Sequence, residues 1–234
     1  MKKNLNQKLI NLIEYYNITN TNFFLSNKPI KRTEENTTFA FVGKKLEKLD
    51  KLKKKILSIK NCELKKNATN LVFSDGNPNS KIMLIGEGPG ANEDAEGKPF
   101  VGRAGKLLDK MLASIQLDRK KVYISNVVNY RPPSNRKPTE IEIERYLPYL
   151  KSHIEIINPI ILILLGSTAL NAIIGNETVI SKARGKWMQK EIGVSKPWII
   201  ASFHPAFLMR QPEQKKFAWT DLKLIREKSK ILKI

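Results

Sequence analysis

Apolar positions along this chain alternate between two spacings. Four short stretches are dense in branched aliphatic residues: Ile82–Ile85, Val122–Val128, Ile160–Gly166 and Trp198–Phe203. Runs of that length and composition predict strands buried on both faces, as in a parallel sheet. Between them the period changes. Leu107, Leu108, Met111, Leu112 and Ile115 recur at helical spacing after Gly102. Pro138 and Thr139 open a longer helix to about Asn158, which Pro159 closes. Ser167 caps a short helix that Gly175 ends, and a last amphipathic stretch runs from about Glu213 to Lys230. Strand and helix alternating in this way predict an α/β fold of three layers, a doubly wound, four-stranded parallel sheet with helices on both faces. Thr69–Phe73 reads as an extended edge, Ser74–Pro78 as a turn, and residues 184–194 as a small hairpin.

Upstream of the first strand the pattern is helical only. Leu5, Leu9, Ile10, Leu12 and Ile13 form one stripe; Leu46, Leu49, Leu52 and Ile56 form another among lysines. Between them, Thr19 to Asn36 loses periodicity. Residues 1–38 are therefore read as a helical extension and linker, and residues 39–234 as the main domain.

Composition narrows the partners. Forty-two Lys and Arg against twenty-two Asp and Glu give a formal charge of +20, which favours a polyanion, most simply nucleic acid. No apolar run reaches the roughly 18 to 20 residues that span a bilayer, and the N-terminal stripe is too interrupted for a signal peptide. A cytoplasmic, nucleoid-associated monomer is expected, with no membrane partner. Cys62 is the single cysteine, which excludes an internal disulfide and a cysteine-rich zinc site.

Polar residues gather at the carboxyl ends of the expected strands, where open α/β sheets bind ligands. Glu87, Gly88 and Glu93 follow the first strand in Gly86-Glu87-Gly88-Pro89-Gly90, with Phe100 close behind. Asn126 and Asn135 follow the second, and His204 the fourth. The glycine spacing lacks the last step of the dinucleotide fingerprint. A pocket for a flat polar ligand fits better than a dinucleotide site.

Three motifs carry a resemblance: GEGPGANED with GKPFVGRAG, NVVNYRPPSNRKPT, and SFHPAFLMR with Lys-x-x-x-Trp-x-Asp-Leu at 215 to 222. From about Ile59 to Leu222 the chain resembles the family 4 uracil-DNA glycosylases, a group known for an iron–sulfur cluster. That resemblance implies a DNA repair enzyme that flips uracil out of single- or double-stranded DNA and hydrolyses its glycosidic bond. It places Gly88, Phe100, Asn126 and His204 around the base, Glu87, Glu93, Asn135 and His204 in catalysis, and Pro205, Phe207, Leu208, Met209 and Arg210 in the loop that enters DNA. The cluster's four cysteine positions fall on Ile59, Cys62, Tyr130 and Tyr146. One thiolate cannot hold a cubane, so no cluster and no other metal or cofactor is expected, and the tyrosine rings are expected to fill the space. A DNA-binding relative with little or no activity, an accessory factor in replication or repair, is the alternative.

Overall fold

The computed structural model describes residues 32–175 and 178–234, with side chains from residue 43 onward apart from residues 176 and 177. The helix expected over residues 4–16, and the linker up to residue 31, lie outside the described residues. Arg32–Leu57 is one continuous helix, α1, so the last residues assigned to the linker are helical. Residues 42–234 form a compact unit.

Its centre is a six-stranded mixed sheet in the order β1-β3-β2-β4-β6-β5. The four inner strands are the expected parallel ones: β2 (Ile82–Gly86), β3 (Tyr123–Asn126), β4 (Ile161–Leu165) and β6 (Trp198–Ser202). The expectation of a four-stranded sheet is corrected at both edges. β1 (Asp75–Gly76) pairs antiparallel with β3, and β5 (Trp187–Gln189) pairs antiparallel with β6. Strands of two and three residues are too short to show an alternation of their own. The stretch Ser74–Pro78 thus contains strand as well as turn, and the hairpin expected over 184–194 extends to β6.

Side-chain alternation sorts each inner strand between two cores. Met83, Ile85, Tyr123, Leu162, Leu164, Ile199 and Ala201 pack on one face, with α1 and with α5 (Glu140–Ile157) through Tyr146, Leu150 and Ile154. Ile82, Leu84, Ile124, Ile161, Ile163 and Ile200 pack on the other, against Leu108 and Leu112 of α4 (Arg103–Ala113) and Leu222 and Ile225 of α9 (Lys215–Ile231). This is the three-layer arrangement. Four short helices complete the chain order: α2 (Glu63–Asn67), α3 (Ala91–Glu96), α6 (Ser167–Ile173) and α7 (Ile180–Ala183), with α8 (Pro205–Arg210) following β6.

Several ends form for local reasons. Thr139 caps α5 and Glu142 reaches back to its backbone, a reciprocal capping box that also recruits Arg136. Asn158 closes the same helix in the left-handed conformation. At the carboxyl edge, Val127 N–H donates to Gly86 O at 2.9 Å and Val128 N–H to Glu87 O at 3.2 Å. The loops after β2 and β3 are therefore held together beyond the last strand residues, and the pocket begins there.

Candidate active site

A cavity of about 640 Å³ opens at the carboxyl edge. Gly86 and Asn126 are register partners at the ends of neighbouring strands, on the same face as Leu84 and Ile124. Phe100 packs against that pair. A Cβ on Gly86 would stand 2.4 Å from Asn126 Oδ1 and 2.6 Å from Phe100 Cζ, so only glycine permits the close packing. Phe100 itself has φ +56°, a left-handed conformation uncommon for a bulky residue. Two features hold it there. Gly105 lies beneath its carbonyl, where a Cβ would come within 1.7 Å of the oxygen. Arg119 donates to Phe100 O and to Pro99 O, while Asp75 and Asp109 accept from the same guanidinium.

Asn126 is 3% exposed, and its Oδ1 has no hydrogen-bond partner among the described residues. A buried amide oxygen left unpaired costs on the order of 1–3 kcal/mol. On a cavity wall, that cost is what an incoming donor would relieve.

His204 is the N-cap of α8. Its Nδ1 accepts from Ala206 N–H at 3.2 Å, which leaves the proton of the neutral ring on Nε2. The ring stacks on Phe100 with centroids 5.5 Å apart. Part of its surface reaches the cavity mouth, yet burial is the largest influence on its pKa, followed by the Arg210 charge. Together they lower it from 6.5 to about 4, against a smaller opposing effect of Glu93. At neutral pH the imidazole is therefore uncharged, with an N–H to offer.

The acids divide their work. Glu93 accepts from Gly90 N–H at 3.1 Å through Oε2 and from Gly102 N–H at 2.8 Å through Oε1. Both oxygens staple the loop that carries Phe100. Glu87 accepts from the Thr168 hydroxyl through Oε2 alone. Asn135 sits on the exposed rim at φ +55°, its Oδ1 accepting from Arg131 Nε at 2.7 Å.

Every residue expected around the base or in catalysis lines this cavity: Glu87, Gly88, Glu93, Phe100, Asn126, Asn135 and His204. The residues assigned to DNA entry do not stay together. Phe207 and Arg210 line the cavity and Met209 is partly exposed, but Pro205 is buried and Leu208 is 1% exposed beside Phe203 and Ala218. Lys137 adds positive charge to the rim, and Arg136 lines it while paired with Glu142. Sequence reasoning missed Arg119, Gly105 and Thr168. Gly105 sat in a quoted motif, but the other two are remote in sequence from the groups they hold and carried no local signal.

The four positions aligned with cluster cysteines do converge, in the core on the opposite face of the sheet. Ile59, Cys62, Tyr130 and Tyr146 are all buried. The Cys62 thiol and the Tyr146 hydroxyl are 3.3 Å apart, and the Tyr146 ring tilts against Tyr149 at 6.3 Å. Burial raises the pKa of both Tyr130 and Tyr146, which keeps the phenols protonated and poor as ligands. One thiol beside two phenols and an isoleucine does not fit an iron–sulfur cluster. Among the described residues, no group of three or more His, Cys, Asp or Glu is arranged to hold a metal ion. None of the described helices is long and apolar enough to cross a membrane.

The sequence profile of the uracil DNA glycosylase superfamily matches residues 73–223. A type-4 uracil-DNA glycosylase of Archaeoglobus fulgidus is 41% identical over 186 residues, covering 78% of this chain and 94% of that protein. The type-4 uracil-DNA glycosylase of Sulfurisphaera tokodaii is 42% identical over 190 residues, 78% of this chain and 85% of its own length. That of Thermotoga maritima is 44% identical over 153 residues, 64% and 77% respectively. The match runs from just before β1 into the first half of α9 and contains the whole cavity wall: the chain belongs to the uracil DNA glycosylase superfamily.

Proposed function

We propose that this protein is a monofunctional uracil-DNA glycosylase, a hydrolase that excises uracil from DNA and leaves an abasic site for base excision repair. One observation carries the reading: Asn126, buried on the wall of a cavity floored by Phe100, with its Oδ1 unpaired. The flipped base stacks on Phe100. The amide donates from Nδ2 to uracil O4 and accepts at Oδ1 from N3–H. Cytosine presents an amino group at C4 and no N3–H, so it would oppose donor to donor and acceptor to acceptor. Gly88 brings the backbone close to the base edge.

As the bond from uracil N1 to C1′ breaks, its electron pair moves onto the base and charge gathers on O2. His204 meets it with Nε2–H, as a neutral donor already oriented by its Nδ1 contact. A water adds to C1′ and gives up its proton to Glu87. Of the acids considered, Glu87 suits this step because Thr168 occupies only one of its oxygens, whereas both oxygens of Glu93 are bound to backbone. Glu93 is accordingly a positioning residue, and Asn135 serves the sugar–phosphate at the rim. Phe207, Met209 and Arg210 are the part of the α8 segment that meets DNA, with Pro205 and Leu208 anchoring it. Residues 39–234 act as a monomer on single- or double-stranded substrate, with 1–38 as an appended segment.

The reading includes no iron–sulfur cluster: side-chain packing around Cys62 replaces it. Purified protein is expected to be colourless and iron-free, and a visible charge-transfer band with stoichiometric iron would refute this part.

The decisive test incubates the protein with a uracil-containing oligonucleotide, then cleaves abasic sites with alkali. Strand breaks at uracil and none at cytosine are expected. DNA binding without breaks would establish the inactive-relative reading instead.

A further inference from the structure

A second cavity, of about 470 Å³, lies at the amino edge of the sheet, on the side away from the site described above. It is bounded by the residues just before β2 and β3, the turn after α4, and the end of α9. Its rim is basic: Lys81, Lys120, Lys121, Arg226 and Lys230 line it, and among the described residues no Asp or Glu side chain does. None of these five forms an ion pair with an acidic side chain among the described residues, although Lys121 donates to Gln116 O at 2.9 Å. The floor is aliphatic, made by Ile82, Ile115, Leu117 and Ile234.

Two polar groups are left over. Ser229 lines the cavity at 7% exposure, and its Oγ and the buried Nε of Arg226 beside it have no hydrogen-bond partner among the described residues. Buried donors normally find acceptors, and such orphans beside a cavity mark where a ligand's acceptor would go.

The lining separates the candidate ligands by chemistry. A ring of cations attracts any anion, and DNA phosphates would satisfy it. The concave aliphatic floor would then go unused, and no aromatic side chain lines the cavity on which a base could stack. An anionic peptide uses every feature. Carboxylates meet the lysines and the Arg226–Ser229 pair, and an apolar side chain between them covers the isoleucines and leucine.

We propose that this cavity docks an acidic peptide segment of a partner protein, two or more carboxylates flanking an apolar anchor. Because it lies at the opposite edge of the sheet, the partner and DNA bind together. This inference does not depend on the reaction assigned to the carboxyl-edge site.

A fluorescein-labelled peptide, Asp-Glu-Asp-Leu-Phe-Glu-Asp, would be titrated with the full-length protein by anisotropy at about 150 mM salt, where weak surface charge effects are screened. Saturable binding is expected, at least about tenfold tighter than to the same peptide with Leu-Phe changed to Ser-Ser. The Lys120→Glu, Lys230→Glu double variant and, separately, Leu117→Asp should each weaken it at least about tenfold, with the circular dichroism spectrum unchanged. Equal affinity for the two peptides, or equal affinity of wild type and variants, would overturn the proposal. So would an oligothymidylate whose affinity falls as much as the peptide's in the double variant, since that would assign the cavity to nucleic acid.

Discussion

The carboxyl-edge pocket and the buried patch around Cys62 each contain an unpaired buried polar atom, and the two mean different things. Asn126 Oδ1 belongs to a residue on the wall of a cavity of about 640 Å³; Tyr130 Oη is enclosed in the core with Ile59, Cys62 and Tyr146. In the pocket, backbone strain at Phe100 and a desolvated His204 accompany the orphan, and Arg119 and Glu93 hold the strained loop in place. In the patch, the neighbours are buried core side chains, and the Cys62 thiol lies 3.3 Å from the Tyr146 hydroxyl. An orphaned atom marks a site where there is room for a partner and machinery to hold it open. Without room it is only a cost of packing.

This contrast predicts that the two regions respond oppositely to truncation. Tyr146→Ala should have the largest effect, about 4 kcal/mol of lost stability, because it empties a fully buried ring volume. Excision per folded molecule should hardly change, and Tyr146→Phe should be mild. Urea unfolding paired with single-turnover rates checks this; a rate loss at intact stability would erase the distinction. Asn126→Ala and His204→Ala should do the reverse, lowering single-turnover excision on the order of 100- to 1000-fold with unfolding midpoints and DNA affinity nearly unchanged. Parallel losses of affinity and rate would contradict the roles given to them.

Acid should act on both faces of the sheet. The His153 pKa is lowered to about 3 by burial between Phe73 and Tyr123, and that of His204 to about 4. Between those values and 6.5 the unfolded chain binds protons that the folded one refuses. Stability is therefore full above about pH 6.5 and falls as pH drops, by on the order of 3 kcal/mol per histidine once pH reaches 4. Over the same interval His204 stays neutral, so the excision rate should show no step at the ordinary histidine value. Denaturation at several pH values with a parallel rate profile would reveal either departure. The smallest effect is expected from Arg119→Lys, which loses the forked grip on Pro99 O and Phe100 O and keeps the charge near Asp75 and Asp109. Excision should drop about tenfold through the single-turnover rate at saturating protein rather than through affinity. A variant that weakened DNA binding alone would place Arg119 outside the pocket's support.

Much of this was legible along the chain. Ile82–Ile85 and Ile160–Leu165 announced buried parallel strands because nothing polar interrupts them, and Pro138 with Thr139 marked the start of α5. The edge strand β1 was not legible: two residues such as Asp75–Gly76 take their conformation from the neighbour they pair with. Pocket residues could be named because strand ends and motifs place them together. Their division of labour could not. Whether Glu93 faces water or two backbone amides depends on where Gly102 returns in space. Leu208 reads as an exposed wedge in sequence, yet the turn of α8 directs it into the core.

The pairing of Gly86 with Asn126 also bears on how such a gene tolerates change. Side chains along β3 alternate faces, and Ser125, one residue earlier, bonds Phe73 O on the other side of the sheet. Deleting one codon in the turn before Tyr123 and sliding the strand to fit would exchange a carboxamide for a different side chain at the pocket wall, while every apolar neighbour changed layers. Deleting two would restore the layers but leave a different residue to meet the base. The reading frame of the strand, as much as the identity of residue 126, therefore guards which base the protein would cut.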